Sequence, residues 1–241
     1  MLPLGTLASA RRASSWTPAS LGGALAAWWD ASAITGLSDG NAVSSWSDLS
    51  GNARTLTTDP GGGAATYKAS VRNGLPVVRF DGTNDCLLAA GVITADSTYE
   101  MVMVHAITGA AGALRVPLAN QRNSSTPYIG GAMIRSTANV RGIYSIGAYA
   151  TYAGGTYTAG TWERWNLTSA AALYVNGSSV QTGAALAAGA DIRVGAARMT
   201  TSSTLEFFTP MDVAEIIIST DVLSSGDRAA LDAYLATKWG F

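Results

Sequence analysis

The fold is decided by Met101-Val102-Met103-Val104, a run that is apolar at every position, and by Ile216-Ile217-Ile218, which repeats that pattern near the end of the chain. In an antiparallel sheet with one face in water, apolar and polar side chains alternate along each strand. A strand without this alternation lies centrally in a sheet and is covered on both faces. We therefore expect a layered β protein in which a third layer, a crossing loop or a subunit contact covers the second face.

The chain between residues 21 and 220 is typical of β structure. Short apolar runs are separated by Gly, Asn, Asp and Pro, which is the spacing of strands and turns. Two dipeptides predict hairpins: Asn176-Gly177 suits the type I′ turn that matches the strand twist, and Asp81-Gly82 lies between two apolar runs. The length of 241 residues is compatible with one all-β domain.

The last part of the chain changes its period. Ser224 and Asp227 resemble a capping box, and the apolar residues that follow recur at helical spacing. Gly240 favours a C-terminal stop. The pattern predicts one amphipathic helix over residues 225–239 that lies on the sandwich.

The beginning of the chain follows neither period. We predict an N-terminal arm over residues 1–20 and a single domain over residues 21–241 that includes the C-terminal helix. The sequence has no positively charged segment ahead of an apolar stretch at its start, so we expect no signal peptide and synthesis in a cytoplasm. It has no run of 18 apolar residues, so we expect no insertion into a membrane.

Composition limits the partners. Charged residues make up 13% of the chain, about half of the usual ~25%, and the formal net charge is −1. Nucleic-acid binding needs a basic stripe, which the sequence lacks. A surface with few charges suits close packing against other proteins, because few charges must be desolvated on contact.

Several segments, in this order, resemble one family. They are Trp16–Leu21, Leu25–Ser32, Val43–Asn52, Asn73–Gly82, Leu173–Gly177, Ile192–Gly195, Ala214–Ile218 and Leu231–Phe241. Together they are similar to the concanavalin A-like, laminin G-like jelly-roll modules of phage virion proteins and bacterial surface proteins. The resemblance covers about residues 16–241. It implies an all-β, two-sheet antiparallel jelly-roll sandwich, whose members bind glycans, bind proteins or build particles, and some of whose relatives are glycosidases.

The resemblance gives three functional hypotheses. The first is a non-enzymatic virion structural or surface protein, a capsid decoration or tail component, which contacts other virion proteins and forms a homo-oligomer such as a trimer. The second is a glycan-binding module for attachment to a host or surface. The third is a glycosidase that acts on polysaccharide, which we expect least.

Catalytic residues are predicted to be absent, so the chain is predicted not to be an enzyme. Glycosidases of this fold use carboxylates on alternate positions of one strand, about 5–10 Å apart. The chain has four glutamates, Glu100, Glu163, Glu206 and Glu215, and none has a second acid two residues away. The one histidine, His105, is predicted to be a buried strand residue with a structural hydrogen bond. The one cysteine, Cys86, is predicted to be a small buried apolar residue.

Candidate contact residues are four tyrosines in a Gly- and Ala-rich region, Tyr144, Tyr149, Tyr152 and Tyr157. Small neighbours leave aromatic faces bare, which suits sugar stacking and also suits a subunit contact. The third alternative for each tyrosine is the core. Trp29, Trp46 and Trp162 are predicted to be core residues of the sandwich.

One metal site is considered. Asp81, Asn84 and Asp85 could offer oxygens to a calcium ion from a single loop, as in some laminin G-like relatives. The alternative is a turn whose side chains cap its own backbone. A His/Cys metal site is excluded by one His and one Cys, and no other cofactor is expected.

Overall fold

The computed structural model describes residues 16–94, 97–110, 112–121, 129–145, 149–183, 185–187, 189–198 and 204–241. In chain order, its strands are β1 (Leu25–Asp30), β2 (Ala42–Val43), β3 (Ser45–Trp46), β4 (Leu56–Thr58), β5 (Ala65–Arg72), β6 (Leu75–Asp81), β7 (Leu87–Ala89), β8 (Glu100–Ile107), β9 (Arg115–Gln121), β10 (Ile129–Arg135), β11 (Arg141–Ser145), β12 (Tyr149–Thr151), β13 (Glu163–Thr168), β14 (Ala172–Val175), β15 (Ser178–Thr182), β16 (Asp191–Val194) and β17 (Pro210–Ser219). The helix α1 spans Ser225–Trp239.

The strands of the described part form two antiparallel sheets. The larger sheet has the order β15-β14-β13-β8-β17-β6-β5-β2, and β1 pairs with the second half of β17. The smaller sheet has the order β12-β11-β10-β9-β16-β7-β4-β3. These two sheets and the single C-terminal helix confirm the predicted two-sheet antiparallel sandwich.

The central strands are buried on both faces, as their composition predicts. Met101 and Met103 of β8 belong to the main core, whereas Val102 and Val104 belong to a second apolar cluster beneath α1. Leu231, Leu235 and Trp239 of the helix complete that second cluster. The third layer that covers the larger sheet is therefore the chain's own C-terminal helix.

Both ends of α1 are capped by the predicted residues. The Ser224 side chain accepts a hydrogen bond from the Asp227 N–H at 3.1 Å, and its hydroxyl donates to Asp227 Oδ2 at 2.7 Å. Gly240 adopts φ +71° and donates its N–H to the Ala236 carbonyl. A residue with a side chain is strained at this φ, so glycine suits the position.

The two predicted hairpins have different outcomes. Asn176 and Gly177 both have positive φ and join β14 to β15, which confirms the type I′ hairpin. The Asp81-Gly82 turn is not a hairpin, because β6 before it lies in the larger sheet and β7 after it lies in the smaller one. A turn dipeptide reverses or bends the chain locally but does not determine which sheet the next strand joins.

Most of the predicted N-terminal arm, residues 1–15, lies outside the described residues. From Trp16 onward the chain packs on the helix layer: the Trp16 and Tyr234 rings are 6.1 Å apart, and a 3₁₀ segment at Pro18–Ala24 leads into β1. The division of the chain into an arm and one domain stays a prediction. No helix of the described ranges is long and apolar enough to cross a membrane.

Candidate functional site

A cleft of about 270 Å³ opens at one edge of the sandwich. It lies where β2, the last strand of the larger sheet, continues through Ser44 into β3, the last strand of the smaller sheet. Its polar lining residues are Asp30, Thr35, Ser44, Ser45 and Ser47. Its apolar lining residues are Ala33, Ile34, Leu37, Ala42, Trp46 and Leu49. We call this site the edge cleft.

The crossing between the sheets explains the mixed lining of the edge cleft. Val43 and Trp46 point into the core, so the residues between and beside them face outward. Ser44, Ser45 and Ser47 are exposed, and Leu49 is 38% exposed. The rim of the edge cleft therefore presents hydroxyl groups beside an apolar side chain.

Trp46 is the most unusual residue of the edge cleft. Its side chain is buried, yet the indole Nε1 has no hydrogen-bond partner among the described residues. Trp29, in the same core, donates its Nε1–H to the Arg54 carbonyl at 2.8 Å. A buried donor without an acceptor costs about 1–3 kcal/mol.

Asp30 forms the charged part of the wall of the edge cleft. Its Oδ1 accepts hydrogen bonds from the N–H of Ser32 at 2.8 Å and from the Ser32 hydroxyl at 2.7 Å. Its Oδ2 accepts from Nζ of Lys238, at the end of α1. This carboxylate therefore links the edge cleft to the helix layer.

Glu215 of β17 lies behind Asp30 and is buried beneath α1. Its Oε1 accepts from Trp28 Nε1 at 2.6 Å and from the Tyr234 hydroxyl at 2.9 Å. Its Oε2 accepts from Trp239 Nε1 at 2.7 Å and from Lys238 Nζ at 3.0 Å. We call the following group the helix network: Trp28, Asp30, Glu215, Tyr234, Lys238 and Trp239.

The electrostatics of the helix network follow from one shared cation. Burial raises the pKa of Glu215, and the Lys238 ammonium opposes that rise. Asp30 and Glu215 are cross-strand partners of β1 and β17, and both contact Lys238. Two carboxyl groups therefore share one ammonium behind the wall of the edge cleft.

The carboxylate pair Asp30 and Glu215 was missed by sequence reasoning. That reasoning looked for acids two residues apart on one strand, whereas these two stand opposite each other on different strands. Only Asp30 lines the edge cleft, and Glu215 accepts four hydrogen bonds from the sheet and the helix. In this geometry the pair holds the helix on the sheet and does not flank one bound sugar.

The structure does not bring the four candidate tyrosines together on a surface. Tyr157 is 1% exposed in the main core, where its hydroxyl donates to the Thr161 carbonyl at 2.7 Å. Tyr144 is 5% exposed and packs in an apolar cluster of β9, β10 and β11. Both tyrosines are therefore core residues, which is the third of the alternatives given for each of them.

The other two candidate tyrosines lie near the end of the smaller sheet. Tyr152 is 40% exposed just after β12. Tyr149 begins β12, and its side chain lies outside the described part of the chain. Among the described tyrosine side chains of this group, Tyr152 alone presents a bare face to a partner.

The candidate calcium loop caps its own backbone. Asp81 Oδ1 accepts from the N–H of Thr83 at 2.7 Å and of Asn84 at 3.2 Å, and Asp85 Oδ2 accepts from the Asp81 N–H at 2.8 Å. These bonds follow the alternative of a self-capped turn. The described residues contain no group of three or more His, Cys, Asp or Glu side chains that could hold a metal ion.

Cys86 and His105 are both buried. Cys86 is free and buried, and burial raises the pKa of its thiol to about 12. His105 is buried edge-on to Trp165, with ring centroids 4.7 Å apart. Neither ring nitrogen of His105 has a partner of full hydrogen-bond geometry within the ranges described, although a contact with the Met103 backbone favours the charged imidazole. Burial lowers the pKa of His105 to about 4.

Comparison with known proteins yields structural neighbours only. No protein-family model and no curated protein matches the sequence. A Trypanosoma rangeli sialidase in complex with sialic acid is similar with a TM-score of 0.62 and 13% identity over 89% of this chain and 33% of that chain. The binding domain of Paraclostridial Mosquitocidal Protein 1 has a TM-score of 0.56 and 13% identity over 80% and 50% of the two chains. An arabinofuranosidase complexed with arabinofuranosyl-alpha-1,2-xylobiose has a TM-score of 0.62 and 12% identity over 82% and 51%.

These neighbours show the fold. They agree with the sandwich part of the sequence resemblance and give its phage context no support. The chain spans about one third of the length of the sialidase and about half of the other two chains. What those whole proteins bind or cleave is not transferred by this likeness.

The prediction that the chain is not an enzyme requires a correction. Several of the neighbours are sialidases and one is an arabinofuranosidase, and these are enzymes. The absence of a Glu-x-Asp-x-Glu pattern therefore does not exclude catalysis. At 12–14% identity, enzyme status is suggested by these neighbours rather than shown.

Proposed function

We propose that this chain is a carbohydrate-binding module and that the edge cleft is its binding site. The observation that carries the proposal is Trp46, a lining residue of the edge cleft whose indole N–H is buried and has no partner among the described residues. A sugar hydroxyl or ring oxygen is an acceptor of suitable chemistry for this donor.

The remaining lining residues fit the same kind of ligand. Ser44, Ser45 and Ser47 can each donate and accept, as sugar hydroxyls require. Leu49 offers an apolar surface to the C–H groups of a sugar ring. Small-molecule sites combine apolar side chains with polar groups that fix the orientation of the ligand, and five of the eleven lining residues of the edge cleft are polar.

The structural neighbours favour a carbohydrate-related role at the level of the fold. The sialidase was determined with sialic acid, the arabinofuranosidase with an oligosaccharide, and the third neighbour is a binding domain. The proposal takes from them the class of ligand and nothing about its identity.

A glycan array followed by titration calorimetry on the hits tests the proposal. The decisive variant is Trp46→Phe, which removes the N–H and keeps an aromatic ring in the core. A hydrogen bond of about 1–1.5 kcal/mol corresponds to about 5–10-fold weaker binding. We expect that loss for Trp46→Phe.

The matched control is Trp29→Phe, because the Trp29 N–H is already bound to the Arg54 carbonyl and Trp29 does not line the edge cleft. We expect its glycan affinity to equal that of the wild type. An array without hits for the folded protein, or equal affinities for Trp46→Phe and wild type, would contradict the proposal. Mass analysis of each glycan after incubation distinguishes binding alone from binding followed by cleavage.

The location and assembly of the protein stay proposals that rest on the sequence resemblance alone. We propose a surface position on a virus particle, contacts with other virion proteins and a homo-oligomer such as a trimer. Light scattering coupled to size-exclusion chromatography tests the oligomer. A protein that stays monomeric at all concentrations and binds no virion protein would contradict this second proposal.

A further inference from the structure

The lining of the edge cleft contains an acidic side chain and no basic one. Among its lining residues the ionisable side chain is the carboxylate of Asp30, and no lysine or arginine lines it. The cation that contacts Asp30, Lys238, also contacts Glu215 and the Tyr234 hydroxyl. The edge cleft therefore has no free cation to offer to an anionic ligand.

A third carboxylate, Asp48, is close to the edge cleft in the sequence but does not line it. Asp48 stands between the lining residues Ser47 and Leu49. Burial opposes the ionisation of Asp48, but hydrogen bonds from the N–H groups of Arg54, Ser50 and Trp28 outweigh it and lower its pKa. Asp48 is ionised at neutral pH, and the partners that stabilise its charge are neutral backbone groups and the Ser50 hydroxyl.

We propose, on the basis of the proposed function, that the edge cleft binds the neutral end of a glycan and rejects sugars that carry a carboxylate. An acidic sugar would bring a negative charge next to Asp30, and no lining residue of the edge cleft would supply a compensating cation. Two like charges in a partly desolvated site repel each other strongly. Binding sites use an unpaired charge of their own to exclude ligands that carry the same charge. A neutral sugar has no such penalty and uses the hydroxyls of the rim.

The size of the edge cleft limits how much of a glycan it holds. Its volume of about 270 Å³ is just below the ~300–1,000 Å³ typical of ligand pockets. This space suits the terminal sugar residue of a chain. The charge of that terminal residue therefore decides binding, whatever follows it along the glycan.

Matched pairs of glycans test the inference. Each pair has the same core and differs in its end: lactose against 3′-sialyllactose, and a xylo-oligosaccharide against the same chain ending in glucuronic acid. We expect the neutral member of a pair to bind at least about tenfold more tightly. Equal or tighter binding of the acidic member would overturn the inference while leaving the proposed function intact. Binding of no member of either pair or of the array would refute both.

Two further measurements attribute the selectivity to charge. Asp30→Asn keeps acceptors for Ser32 and removes the negative charge, so the preference for neutral glycans should fall several-fold. Asp48→Asn is the second variant, because Asp30→Asn also weakens the link to Lys238 and lowers stability. In the wild type, added salt should reduce the discrimination by screening. A preference that is unchanged in both variants and at high salt would contradict the electrostatic origin.

Discussion

The helix network and the edge cleft share one residue, Asp30, but differ in the hydrogen bonding of their buried polar groups. In the helix network, Glu215 accepts four hydrogen bonds and the indole N–H groups of Trp28 and Trp239 are both paired. In the edge cleft, the buried N–H of Trp46 has no partner among the described residues. Buried polar groups are normally paired. The helix network therefore has the pairing that is usual for buried polar groups, whereas the edge cleft contains a donor that the proposed ligand would have to satisfy.

The largest effect should come from breaking the helix network. Glu215→Ala leaves three donors of the network and the Lys238 ammonium without their shared acceptor. Removing one partner of a buried charged pair costs about 3–5 kcal/mol. We expect the free energy of unfolding in urea to fall by that amount.

A matched control for this variant is Glu206→Ala, since Glu206 is partly exposed and its side chain takes part in no ion pair of the described residues. We expect a change of at most about 0.5 kcal/mol there. A loss below about 1 kcal/mol for Glu215→Ala would show that the helix layer does not depend on this network.

His105 gives a second test of the comparison. It is buried without a partner of full hydrogen-bond geometry among the described residues, and it does not line the edge cleft. Burial lowers its pKa to about 4, against about 6.5 in an unfolded chain. The folded state then binds fewer protons than the unfolded state, so stability is full above pH 6.5 and is lost as the pH falls towards 4. At pH 5 the expected loss is about 2 kcal/mol.

Urea unfolding of the wild type and of His105→Leu at pH 7 and pH 5 checks this prediction. The chain has one histidine, so the difference between the two proteins isolates its titration. The raised pKa of Glu215 acts with the opposite sign, since protonation of that carboxyl favours the folded state as the pH falls, but it is present in both proteins. Parallel pH profiles would contradict the prediction.

The two tryptophans test the comparison within one residue type. Trp29→Phe and Trp46→Phe both lose packing in the same core. Trp29→Phe additionally breaks the hydrogen bond to the Arg54 carbonyl, which contributes about 1 kcal/mol. In urea unfolding without ligand, we expect Trp29→Phe to be less stable than Trp46→Phe by about that amount. The opposite order would mean that the Trp46 N–H has a partner in the free protein.

The sequence predicted the layers of the fold because the deciding signal was local. Runs such as Met101–Val104 are apolar on both faces, and a helix with the matching apolar stripe follows at the end of the chain. Strands β5 and β9 carry no comparable signal. The outer residues of β5 are half-buried or exposed near a sheet edge, and β9 contains Pro117, which argues against a central strand.

The candidate site could not be predicted in the same way. Asp30 and Glu215 meet only because β1 pairs with β17, and no spacing along the chain indicates that pairing. Trp46 was predicted to be a core residue, and it is buried, but whether its N–H finds an acceptor depends on the surrounding three-dimensional structure. The candidate tyrosines do not form one exposed surface, for a related reason: composition does not show which face of a strand is covered.

The smallest effect tests whether the edge cleft or the tyrosine region carries the binding. Tyr152 is 40% exposed just after β12, which forms one edge of the smaller sheet, whereas β3 of the edge cleft forms the opposite edge. Tyr152→Ala should change the free energy of unfolding by at most about 0.5 kcal/mol. If the edge cleft is the site, its glycan affinity should equal that of the wild type. A loss of binding in Tyr152→Ala, together with normal binding in Trp46→Phe, would move the site to the β12 edge, because an exposed aromatic ring can stack on a sugar only where the sugar is bound.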